Sequence, residues 1–103
     1  PLELPADDPG HVYHLFVVQV DERDGVLAAL RAGGIGAAVH YPTPVHLQPA
    51  YAGLGYGEGA LPVTETLARE MLSLPIYPEM PDIDVARVID AVNTIVADSR
   101  EAA

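Results

Sequence analysis

The sequence predicts an α+β fold, a small sheet with helices packed on it. Three observations carry that prediction. Val12–Val20 is apolar nearly throughout, as a strand covered on both sides would be. Val85, Val88, Ile89, Val92, Ile95 and Val96 recur at helical spacing near the C-terminus. Between these lie proline- and glycine-rich breaks that cut the chain into the order β-α-β-loop-α-β-α, which gives a small sheet packed against helices.

Each element follows from local chemistry. Residues 1–10 hold three prolines, a glycine and three acids, which reads as a linker or extended lead-in to a domain over residues 11–100. After the first strand, an acid between Asp21 and Asp24 is placed to cap a helix whose apolar residues are Val26, Leu27 and Leu30. Gly33-Gly34 ends that helix, and Ile35–Tyr41 is expected as a second strand. Pro62 opens the next helix, with Thr64 and Glu65 in the first turn, where hydroxyls and acids suit the dipole. Leu72–Tyr77 is a short third strand that Pro75 assigns to an edge or a bulge. Pro81-Asp82 starts the last helix, and Asp82 and Asp84 are acids of its first turn. The expected core is Phe16, Val18, Leu30, Leu67, Met71, Val88, Ile89 and Val92.

Composition narrows the function. One hundred and three residues make one domain of common size, and half are apolar. With no tryptophan and one phenylalanine, aliphatic side chains must fill the core. Fifteen acids against five basic residues give a formal charge of −10. That argues against nucleic-acid binding, which needs a basic footprint, and against anionic membrane surfaces. All five basic residues are arginines, so chemistry that needs an amine nucleophile must come from elsewhere. There is no cysteine for a disulfide or a thiolate zinc site, no run long enough for a membrane span, and no signal-peptide pattern. The chain begins at Pro1 rather than Met, which suggests processing, engineering or a longer parent.

The most informative stretch is His40-Tyr-Pro-Thr-Pro-Val-His-Leu-Gln-Pro-Ala-Tyr51, with two histidines, two tyrosines, a glutamine and three prolines. Prolines stiffen a loop without secondary structure, and a stiff loop carrying polar and aromatic groups suits a ligand. His40 and His46 are not on one helical face, and the loop holds no carboxylate to complete a zinc site, so no metal is expected. His11 and His14, three apart in a strand, point to opposite faces and make no metal pair. His14 shares its face with Val12, Phe16 and Val18 and is expected to be a structural, hydrogen-bonded histidine, with His11 exposed. Gly55-x-Gly57-x-x-Ala60 superficially matches a dinucleotide fingerprint, and Glu79 lies at a suitable distance. No strand precedes it, so these glycines are expected to serve turns with positive φ. Ser73 and Ser99, the two serines, sit in no nucleophile elbow.

Segments 34–51 and 61–78, with the strand Val12-Tyr-His-Leu-Phe-Val-Val18, resemble the DegT-type, pyridoxal-phosphate-dependent nucleotide-sugar aminotransferases. The resemblance covers roughly residues 11–97. It implies the small C-terminal domain of a fold-type I aminotransferase, with a small, mostly antiparallel sheet. The large domain, absent from this chain, would hold the pyridoxal phosphate, the Schiff-base lysine and the acid that pairs with the pyridinium nitrogen. No catalytic or cofactor-binding residue is therefore expected in this chain, which should be inactive alone. The resemblance implies a cytoplasmic homodimer that moves an amino group, usually from glutamate, to a keto group of a nucleotide-linked sugar. It also implies that His40, Tyr41, His46 and Gln48 line the sugar side of the cleft between domains, where imidazole and phenol groups can hydrogen-bond sugar hydroxyls or phosphate oxygens. The alternative is a stand-alone, non-catalytic ligand-binding or regulatory domain.

Overall fold

The computed structural model describes residues 2–102. Its order is β1 (Leu2–Glu3), β2 (Phe16–Val20), α1 (Arg23–Ala32), two 3₁₀ turns (Val45–Leu47 and Pro49–Leu54), α2 (Pro62–Glu70), β3 (Met71–Leu74) and α3 (Asp82–Ala102). The strands form one antiparallel sheet in the order β1-β2-β3. The lead-in thus gives two residues to the sheet, Leu2 opposite Val20 and Glu3 opposite Gln19. Pro1 lies outside the described residues.

Side chains alternate across the sheet, so each strand serves two layers. Val18, Val20 and Leu72 face Val26 and Leu30 of α1 and Val88 and Val92 of α3, forming an all-aliphatic core with Ile35 and Ala37. Phe16 and Leu74 pack at its margin. The alternate positions, Gln19, Met71 and Ser73, belong to the opposite layer. There Gln19 lies beside Pro62 and Leu67 of α2 and donates to Glu70 at 3.3 Å. Arg23, itself buried, ties the layers together by donating to the carbonyls of Ala68 and Met71 at 2.8 and 2.9 Å.

Several expected boundaries shift, each for a local reason. The strand expected from Val12 is β2, and it starts at Phe16 because the chain turns at Tyr13, whose φ is +49° and whose N–H donates to His11 Nδ1 at 2.8 Å. His14 therefore lies outside the strand and is exposed, not the buried structural histidine expected, whereas His11 is exposed as anticipated. No acid caps α1 through its side chain; Glu22 holds the N-cap with φ +55°, and Asp24 accepts from Arg23 instead. Gly33-Gly34 does end α1, and Gly34 takes φ +83°. The Ile35 N–H then returns to the Leu30 carbonyl at 2.9 Å. Arg87 of α3 donates to the Gly33 carbonyl at 3.1 Å and closes the corner.

The expected strand over 35–41 reduces to one bridge, Ala38 with Ser73. The backbone groups of Ala37 beside it are spent locally: the Ala37 N–H bonds the Ile35 carbonyl and the Ala37 carbonyl accepts from Arg31. Pro62 opens α2 as expected, and β3 stops before Pro75. On α3 the buried stripe runs through Val88 and Val92, with Ile95 and Val96 beside it. Ile89, expected in the core, is 53% exposed, because one residue beyond Val88 is about 100° around the helix. Leu67 and Met71 are half-buried in the second layer and not part of the main core.

Candidate functional site

Residues 40–51 run from the Ala38–Ser73 bridge across to the start of α2. Pro44 precedes the first 3₁₀ turn and Pro49 opens the second, so fixed φ angles shape the loop where ladder hydrogen bonds are absent. Two polar contacts, one partly buried and one buried, anchor it. His40 Nδ1 lies 2.9 Å from Ser73 Oγ, and His46 Nε2 lies 3.1 Å from Glu65 Oε2. Gln48 braces the loop from within, its amide donating to the Thr43 carbonyl at 3.1 Å.

Glu65 is the hub of the second contact. Its carboxylate accepts from the Gly59 N–H at 2.7 Å and the Leu61 N–H at 3.0 Å, as well as from His46. One side chain thus joins the glycine turn, the entry to α2 and the histidine loop. The Gly59 N–H, then the Leu61 N–H and His46, hold its carboxyl below the ordinary glutamate value, against the opposing effect of burial. An ionised carboxylate only accepts hydrogen bonds, so the proton of this contact sits on His46 Nε2. His46 Nδ1 is buried and meets no partner among the described residues.

The four residues singled out in the sequence thus share one loop but stand in different surroundings. His46 is buried, His40 and Gln48 are half-buried, and Tyr41 is 72% exposed. The Tyr41 and His40 rings meet edge to face, with centroids 5.4 Å apart. From the sequence, Glu65 serves only a helix dipole and Ser73 has no function. Contacts spanning 19 and 33 residues leave no mark in local sequence, although the loop's lack of a carboxylate was a hint that one must be supplied from outside.

Among the described residues no three His, Cys, Asp or Glu side chains gather as a metal site. Of the two glycines in the Gly55-x-Gly57 pattern, Gly55 takes φ +84° as a turn glycine but Gly57 has no positive φ; the neighbouring Gly59 takes +86°, and a 3₁₀ turn rather than a strand precedes them. A groove of about 720 Å³ lies elsewhere, between the ends of the three helices, and shares no residue with the histidine loop. The residues present do not fit covalent attachment of pyridoxal phosphate, because the chain has no lysine. Among the described residues no helix is long and apolar enough to cross a membrane.

The chain belongs to the DegT/DnrJ/EryC1/StrS aminotransferase family, which matches residues 1–93. It is 50% identical over 92 residues to the dTDP-3-amino-3,4,6-trideoxy-alpha-D-glucose transaminase of Streptomyces venezuelae, covering 89% of this chain and 24% of that protein. It is 43% identical over 87 residues to the pleiotropic regulatory protein of Geobacillus stearothermophilus, covering 84% and 23%. Its structure matches the crystal structure of S. venezuelae DesV in complex with a ketimine intermediate. The TM-score is 0.84 at 48% identity, over 88% of this chain and 25% of that one. The chain spans about a quarter of the length of these relatives.

Proposed function

We propose that this chain is the small C-terminal domain of a pyridoxal-phosphate-dependent aminotransferase that takes an amino group, from glutamate, to a keto group of a nucleotide-linked sugar. The observation that carries this is 50% identity to a dTDP-sugar transaminase over nearly the whole chain. The absence of lysine supports the division of labour: the cofactor and its Schiff-base lysine belong to a large domain outside this chain. The intact protein works as a cytoplasmic homodimer, and dTDP-linked keto sugars are the first substrates to test.

This chain's own residues serve the sugar side. Tyr41 offers an exposed phenol, His40 an imidazole whose Nδ1 is already held, and Gln48 and His46 complete the loop that faces the substrate. Because prolines and buried contacts already order it, the loop loses little further entropy on binding. The division between residues 1–10 as lead-in and 11–100 as the domain belongs to the same proposal.

The test is a pair of half-reactions on the intact protein. Glutamate should change the absorbance of the bound cofactor, and a keto-sugar nucleotide should reverse the change. A protein that holds cofactor but responds to neither compound would sink the proposal. A second reading has one observation in its favour, the relative named as a pleiotropic regulatory protein. In that case the domain binds a ligand without catalysis, and keto-sugar nucleotides would bind without turnover.

A further inference from the structure

We infer that Ser73 is the positioning residue for His40, and through it for Tyr41, at the sugar-binding loop. The inference rests on the proposal above that His40 belongs to the sugar site. Ser73 is 5% exposed in the middle of β3. It pairs with Val17 of β2 on one side, and on the other its N–H and carbonyl exchange bonds with Ala38 at 2.8 and 3.1 Å. Its backbone is therefore held from both edges. Strand alternation turns its side chain away from the layer of Leu72 and Leu74, which pack with the aliphatic core.

The hydroxyl so presented meets His40 Nδ1 at 2.9 Å. A hydroxyl both donates and accepts, so it serves the ring in either tautomer. With Nδ1 engaged, the ring is fixed and Nε2 is its remaining polar atom. Tyr41 packs edge-on against that ring. Otherwise exposed, the Tyr41 side chain takes its orientation in part from His40. A sheet residue with no substrate contact of its own thus sets two rings that have one.

The test is a double-mutant cycle on the intact protein, read in single-turnover half-reactions. Ser73→Ala should weaken the sugar half-reaction about two- to tenfold, the loss of one neutral hydrogen bond. Glutamate turnover and the thermal midpoint should stay close to wild type. In a His40→Ala background, Ser73→Ala should add nothing, because it acts only through that ring. Additive losses, or a harmless Ser73→Ala beside a damaging His40→Ala, would overturn the inference alone. So would equal damage to both half-reactions with a lowered midpoint, which marks a structural role only. A harmless His40→Ala would bring down the assignment of the loop and this inference together.

Discussion

The two layers either side of the sheet are built differently. Beneath it, Val18, Val20 and Leu72 meet Val26, Leu30, Val88 and Val92 in an aliphatic cluster. Above it, the loop over 40–51 is held by His40 on Ser73 and His46 on Glu65, with Glu65 also gathering two backbone N–H groups. Aliphatic packing is non-directional and insensitive to pH; it supplies stability in proportion to buried area. Hydrogen bonds are directional and individually modest, so they contribute less free energy but set orientation. The domain therefore draws stability from one layer and orients the residues of the proposed sugar site with the other.

Experiments can break that contrast, starting with the largest effect. Leu30, fully buried between the sheet and α3, should cost about 2–5 kcal/mol when truncated to Ala, measured by urea unfolding of the chain. A cost below about 1 kcal/mol would mean that the aliphatic layer is not the main source of stability.

Next comes the acid response of the polar layer. Glu65 has a depressed carboxyl in the folded state, so its contribution is present above the ordinary glutamate value, about 4.3. It should be lost as pH falls through the lower folded value. Wild type should lose stability below about pH 4 more steeply than Glu65→Gln, which has no carboxyl to protonate. Parallel curves for the two proteins would show that Glu65 is not the hub it is taken to be.

Tyr41→Phe removes an exposed hydroxyl and should leave unfolding unchanged. It should slow the sugar half-reaction of the intact protein by a factor corresponding to about 0.5–1.5 kcal/mol, with glutamate turnover kept. Loss of both half-reactions would move Tyr41 from substrate contact to general architecture. Last and smallest, Ile89→Ala should change the stability of the 103-residue chain by no more than about 0.5 kcal/mol, as at other exposed sites. A much larger cost in the intact protein than in the chain would show that the rest of the protein covers this side of α3.

Much of this domain is legible in its residues. The helix starts at Pro62 and Asp82, the stop at Gly33-Gly34 and the stiff loop of 40–51 all depend on backbone preferences that neighbouring residues impose. The aliphatic stripe of α3 was also visible, but its width was not. Val88 and Ile89 are equally apolar, and only the position of α1 and the sheet decides which is buried.

The strands are less legible in the residues, because a strand needs a partner. Val12–Leu15 has strand composition, yet the His11–Tyr13 turn diverts it, and of Ile35–Tyr41 only Ala38 bridges to the sheet, while the Ile35 N–H and the Ala37 carbonyl turn back to Leu30 and Arg31 of α1. The family, too, was recognisable from its motifs, which are local strings. What tertiary structure alone decided is how those motifs meet. Ser73 reaches His40 across 33 residues and Glu65 reaches His46 across 19. Sequence spacing sets what a residue can do with its near neighbours. Contacts between distant side chains exist only once the sheet has aligned β3 with the loop and α2 has brought its first turn against it.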